Sequence, residues 1–370
     1  MNDAKRTHVL VMLRVLGLLA CVYLFVVGIG AMGQAFKLFG DDFSKRILGA
    51  TASPFIGLFV GILSTALVQS SSTTTSVVVG MVAAGVVTID GAIPIIMGAN
   101  VGTTVTNTLV SLGHAGRSVE FKRAFAAATV HDFFNWMAIA VLFPMELATG
   151  FLAKASIALT DVVQNLGGAK LGSPVKVLTD PAIRLLSDLL GNVPGAVLMA
   201  ALLLIVKLLQ SLVLAKIEAF FDEHLFRNPA RAMLFGTVLT VAVQSSSITT
   251  SLVVPLAAAG VLKLRQIFPF TLGTNVGTMV TAILAAIATG RGEAITVSLA
   301  HLLFNVSGIV LIWPLEVVRQ TPVRCAEWLA ETVSRNRMTS LGLVGSVYFI
   351  LPLLLILLFG TDPAEVPPGG

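Results

Sequence analysis

Charge is what this chain lacks most. Asp, Glu, Lys and Arg make up 12% of its 370 residues, about half the ~25% usual in soluble domains. A water-exposed fold of this length needs far more charged surface to cover its cores. Cysteine is nearly absent. Cys21 and Cys325 stand alone, in the first apolar run and a late basic loop, which excludes a disulfide framework and a cysteine metal motif. A basic stripe interleaved with aromatics is missing, which excludes a nucleic-acid surface. Gly-x-Ser-x-Gly and a Ser/His/Asp set are missing, so an enzyme is not expected. No phosphate-binding Walker sequence is present, so an internal ATP motor is excluded.

What is abundant is apolar surface, with 56% of residues in the hydrophobic set. Lipid is the solvent that suits it. About 20 apolar residues cross the hydrocarbon as a helix, and such runs fall near 10–33, 92–113, 122–146, 188–215, 268–289, 294–315 and 339–359. The chain is expected to be an all-α, multi-pass integral membrane protein. The apolar run after Met1–Arg6 is too long for a signal peptide and reads as a retained span.

Two further apolar stretches, 53–88 and 230–261, are interrupted in the middle by Gln69–Ser76 and Gln244–Ser251. A lipid-facing helix has no use for eight near-consecutive polar groups at that depth. A helical hairpin that enters and leaves on one side places them at its tip, where irregular backbone is tolerated inside protein.

The two clusters are copies. Residues 69–80 and 244–255 agree at nine of twelve positions. The same offset of 175 aligns Gly98–Thr106 with Gly273–Thr281 at seven of nine. An offset of 170 pairs His131, Phe134 and Asn135 with His301, Phe304 and Asn305. Three matches in one order point to duplication. Three full spans lie between the two Gln-Ser-Ser-Ser motifs. That odd number inverts the second copy, the plan of many secondary transporters. The expected organisation is a first membrane repeat over 1–146, an inter-repeat loop over 147–187 with a short interfacial helix, and a second repeat over 188–338. A final helix over 339–360 and a disordered tail over 361–370 follow. Each repeat is expected to hold a re-entrant hairpin and a broken helix. With the N-terminus in the cytoplasm, 14 Lys and Arg fall inside and 8 outside, the bias of the positive-inside rule. Lys37, Lys45 and Arg46 run against it.

The motifs suit small ions. Hydroxyls and carboxamides both donate and accept without net charge. Free N–H groups at a helix start favour anions, and unwound carbonyls favour cations. A lone Ser or Thr in a membrane helix ordinarily back-bonds to its own helix, but eight-residue clusters present twice exceed that need. Gly98, Gly102, Gly273 and Gly277 permit either an unwound turn or close helix packing. Asn100 and Thr103, with Asn275 and Thr278, offer oxygens to a hard cation. His131 and His301 lead into Phe-Asn pairs and can support the hairpins from behind. Asp90 and Asp132 lie near proposed span ends.

Taken together, Gln69–Ser76, Gln244–Ser251, Ile93–Thr103, Gly273–Thr281, Phe121–Phe125 and Val130–Trp136 resemble the sodium-dependent inorganic phosphate cotransporter family, the type II group. The resemblance covers roughly 50–146 and 228–315. It implies sodium-coupled symport of inorganic phosphate across the cell membrane by alternating access, with sodium as coupling ion and no other cofactor. It implies that Gln69, Ser70, Ser71 and Ser72 meet Gln244, Ser245, Ser246 and Ser247 around phosphate. It further implies sodium sites at Gln244, Ser245, Thr278 and Thr281, with Gln69, Ser70, Asn100, Thr103 and Thr106 as counterparts. Asn275 joins these from its place in the motif, and His131, Asn135, His301 and Asn305 are supporting residues. Animal members of that family carry a large disulfide-bonded loop between the halves, and this chain has no cysteine there. Rival readings are a proton-coupled symporter, a symporter of another oxyanion, and a non-transporting scaffold or sensor.

Overall fold

The computed structural model describes residues 26–36, 38–51, 53–167, 173–198, 226–334 and 338–359, with a few single residues beside them. Half of the expected span 10–33, just over half of 188–215, and the tail 361–370 lie outside the described residues. Every regular element among the described residues is helical.

The first half runs α1 (Val26–Phe36), α2 (Asp41–Ala50), α3 (Pro54–Val68), α4 (Ser71–Ala83), α5 (Ile89–Gly102), α6 (Thr104–Leu112) and α7 (Ser118–Thr149). The helices α8 (Phe151–Gly167) and α9 (Ser173–Leu189) follow. Then come α10 (Pro229–Val243), α11 (Ser246–Ala258), α12 (Leu264–Thr289), α13 (Gly292–Ile312) and α14 (Glu316–Ser334). The last helix, α15, spans Met338–Phe359 and contains a π turn at Ser346–Ile350. Of these, α7, α12, α13 and α15 are long and apolar enough to cross a membrane.

Both interrupted stretches are helix pairs, α3–α4 and α10–α11, and each pair turns in two residues. Gln69 closes α3 at φ 59, ψ 24, and Gln244 closes α10 at φ 57, ψ 23. Ser70 then opens α4 at φ −153, ψ 106, and Ser245 opens α11 at φ −151, ψ 110. The left-handed residue ends one helix and the extended residue caps the next. Ser70 Oγ accepts from Thr73 N–H at 3.2 Å, and Ser245 Oγ from Ile248 N–H at 3.4 Å. Sequence copying has become backbone copying.

The glycines of the second motif pack helices. A Cβ at Gly61 or Gly98 would collide with the backbone of α5 or α3 respectively, and one at Gly236 or Gly273 with the backbone of α12 or α10. At Gly102 and Gly277 an added Cβ would lie 2.7 Å from Thr65 Cβ and 2.6 Å from Thr240 Cβ. Small residues thus let α3 approach α5, and α10 approach α12, backbone to backbone. This explains why the helix breaks stay shallow. The stretch 92–113 is interrupted only at Thr103, whose φ −62, ψ −28 is still helical. In the second half α12 runs on without interruption from Leu264 to Thr289, because Gly273 and Gly277 are held against α10 and have no room to unwind.

The stretch 147–187, expected as loop, is largely helical. Gly150 ends α7 at φ 63, and the Glu146 carboxylate reaches over it to accept from Leu152 N–H at 2.5 Å and Ala153 N–H at 3.2 Å. A carboxylate on the free N–H groups of a first turn starts α8 directly. Cys325 likewise sits in a helix, α14, and not in a loop. The central apolar core joins both halves, with Phe134, Phe268, Phe304, Met97, Leu272 and Val130 packed together.

Candidate functional site

The corners of the two helix pairs meet. Ser71, first residue of α4, and Ser246, first residue of α11, hold their hydroxyl oxygens 3.3 Å apart and are both buried. Two helix N-termini therefore converge, each carrying about half a positive charge from its aligned peptide dipoles. Around them stand uncharged side chains. Ser72 Oγ and Ser247 Oγ, twins across the repeat, are buried and have no hydrogen-bond partner. Thr65 Oγ1 and Thr240 Oγ1, also twins, share that condition. Buried hydroxyls ordinarily find partners, so the matched pair Ser72 and Ser247, each next in the chain to a serine of the Ser71–Ser246 contact, marks a place suited to something polar.

Each hairpin glutamine is tied to the helix that follows. Thr106 donates to Gln69 Oε1 at 2.8 Å, and Thr281 donates to Gln244 Oε1 at 2.6 Å. The Gln69 amide donates to Ala66 O, and the Gln244 amide to Val241 O at 2.5 Å. The structure thus brings Gln69 to Thr106 and Gln244 to Thr281. It does not bring Thr103 or Thr278 to them. Those hydroxyls turn back onto their own helices, to Ala99 O at 3.2 Å and Thr274 O at 3.0 Å. Asn100 and Asn275 also point elsewhere, to His301 Nε2 at 3.2 Å and to His131 Nε2. Asn135 and Asn305 stand one turn beyond those histidines, both fully buried.

A second polar group forms around Asp132, expected near a span end. Asp132 lies in the middle of α7, buried, and not at a span end. Its carboxylate accepts from Thr104 at 3.3 Å and from Tyr348, which the π turn of α15 supplies. Asn107 Oδ1 accepts from Thr250 at 2.9 Å, linking α6 to α11. Tyr348 carried a signal, since it is one of only two tyrosines in the chain and sits in an otherwise apolar span. A buried tyrosine hydroxyl needs a partner. At the start of α7, Arg117 donates to the Glu120 carboxylate at 2.7 Å.

Among the described residues no group of three or more His, Cys, Asp or Glu is placed to hold a metal. The class of protein is an all-helical, multi-span membrane protein whose polar groups gather at a buried centre built from two similar halves. The family follows from comparison. The Na+/Pi-cotransporter family model matches residues 24–160 and 197–323, and the chain belongs to that family. It is similar to sodium-dependent phosphate transport protein 2A of Mus musculus, with 34% identity over 93% of this chain and 67% of that protein. The rat (Rattus norvegicus) 2A protein gives the same figures. Sodium-dependent phosphate transport protein 2B of Homo sapiens is 30% identical over 92% of this chain and 64% of that protein. No solved structure matches.

Proposed function

We propose that phosphate is carried at the junction of α4 and α11. Sodium-coupled phosphate symport is the general function that the family and the multi-span helical fold support. The observation that carries the site is the Ser71–Ser246 contact, where two helix N-termini face one cluster of neutral hydroxyls. Dipoles and hydroxyls attract an oxyanion without the desolvation cost of a fixed buried charge. Ser70–Ser72 and Ser245–Ser247 then surround the anion, and Ser72 and Ser247 gain the partners they lack.

Sodium would sit beside the Gln69–Thr106 and Gln244–Thr281 pairs. Their oxygens are hard donors of the kind sodium takes. Ser70 and Ser245 follow the two glutamines directly in the chain, whereas Asn100, Asn275, Thr103 and Thr278 would have to turn from their present partners to join them. The helices α3, α4, α10 and α11 hold 15, 13, 15 and 13 residues. At 1.5 Å per residue each falls well short of a hydrocarbon core about 30 Å thick. That length favours hairpins that enter and leave on one side, the two halves being inverted and the N-terminus cytoplasmic. Alternating access then exposes one shared site to each side in turn.

Ser72→Ala and Ser247→Ala test the site. Neither hydroxyl has a hydrogen-bond partner within the protein, so thermal stability should hold. Phosphate uptake into proteoliposomes, driven by an imposed sodium gradient, should fall at least tenfold in the double variant. Full uptake by that variant would remove the phosphate from this junction. Uptake independent of sodium would remove the coupling.

A further inference from the structure

Buried imidazoles and amides link the two halves through matched residues. Each half has an Asn after its hairpin, Asn100 or Asn275, and a His with an Asn one turn on, His131 with Asn135 or His301 with Asn305. Each histidine takes its partner from the other half. His131 Nε2 pairs with Asn275 Oδ1, and His301 Nε2 with Asn100 Oδ1 at 3.2 Å. To this point the arrangement is two-fold.

The symmetry ends at the next bond. Asn275 Nδ2 donates to Asn135 Oδ1 at 2.9 Å. The twin of that bond would run from Asn100 Nδ2 to Asn305 Oδ1, and both of these buried atoms are without a partner. Asn135 Nδ2 crosses to Asn100 O at 3.1 Å, whereas Asn305 Nδ2 turns back to His301 O of its own helix at 3.1 Å. One arm is closed and its copy is open. Asn100 Nδ2 and Asn305 Oδ1 are a donor and an acceptor, the two ends of one missing bond, and His301 Nδ1 on the same arm is also buried without a partner. Buried amide atoms are rarely left so unless another arrangement satisfies them.

We propose that the arms exchange as the protein changes the side it faces. In the state open to the opposite side, Asn100 Nδ2 donates to Asn305 Oδ1 and the Asn275–Asn135 bond is open. This rests on the alternating-access reading above. Each state then satisfies one arm and strands the other, so the two states stay close in energy and a gradient can drive the carrier either way. Asn135 and Asn305 act through Asn275 and Asn100, as positioning residues.

The test uses two reporters in the full chain with Cys21 and Cys325 replaced by serine. Ala126→Cys lies on a cavity of about 950 Å³ between α7, α11, α12 and α14. Thr296→Cys is its twin at the 170-residue offset, buried in α13. Each is labelled in proteoliposomes with a membrane-impermeant maleimide. Asn135→Ser removes a bond made only in the present state. It should lower the ratio of Ala126→Cys to Thr296→Cys labelling by roughly three- to tenfold, the value of one net hydrogen bond. Asn305→Ser removes a bond made only in the other state and should raise that ratio by a similar factor. Shifts of one sign, or none, overturn the exchange. If either variant fails to insert, Asn275→Ser and Asn100→Ser remove the donors of the same two bonds and must split the same way. Labelling needs no cargo. Opposite shifts without sodium-dependent uptake keep the exchange and discard the phosphate reading, and uptake with no shift discards the exchange alone.

Discussion

Gln244 holds a left-handed conformation that side chains avoid, at φ 57. For a residue with a Cβ this costs about 1–2 kcal/mol. Its amide makes two bonds, to Val241 O at 2.5 Å and from Thr281 at 2.6 Å. Gln244→Ala and Gln244→Gly both delete those bonds, but only glycine takes the turn without strain. The greater freedom of glycine in the unfolded chain offsets about 0.4–1 kcal/mol of that relief. The glycine variant should therefore be the more stable by about 0.5–1 kcal/mol, whereas inside an ordinary helix alanine wins by about 1 kcal/mol. Thermal unfolding of the two variants in one detergent, beside the parent, measures the difference. Sodium-driven phosphate uptake should be lost in both, because the amide oxygen that meets Thr281 is gone. An alanine variant at least as stable as the glycine variant would refute the strain. A glycine variant that still transports would refute the role of the amide.

Other expectations follow the same logic. Gly277→Ala should destabilise the protein by about 1–3 kcal/mol through overpacking, since its Cβ would lie 2.6 Å from Thr240 Cβ. Gly342→Ala, where nothing lies within 4 Å, should leave the melting temperature level or raise it, and equal effects at both sites would dismiss the close packing. Thr281→Val keeps the shape but removes the donor to Gln244, so half-maximal uptake should need roughly two- to tenfold more sodium, the worth of one net hydrogen bond. An unchanged sodium dependence at fixed phosphate counts against sodium near Gln244. Tyr348→Phe leaves the Asp132 carboxylate with one donor, which should cost about 1–3 kcal/mol in a melting experiment. No change there would mean that the Tyr348–Asp132 bond is weak.

Much of this architecture was legible. Gln-Ser-Ser-Ser marks both helix turns because a polar run inside an apolar stretch has one stable place, and an N-capping serine follows a left-handed residue. The pairing of halves was legible in the three offsets. The individual partners were not. Motif spacing puts Asn100 beside Thr103, but helix rotation sends Asn100 to His301 and folds Thr103 onto Ala99. Gly98 and Gly102 suited either unwinding or packing, and only the position of α3 decides for packing. Tyr348 meets Asp132 across 216 residues, a distance over which no local pattern carries information. The segment 147–187 looked like loop because its polar residues dilute the apolar signal. Glu146 starts α8 through a contact that spans a turn.

Each of the two helix pairs turns in two residues, and a connection that short has no slack. One residue inserted between Gln69 and Ser70 would advance the phase of α4 by about 100°, carrying the Ser72 hydroxyl off the junction with α11. Length at these two corners is thus constrained as tightly as composition, and tolerated insertions belong elsewhere in the chain.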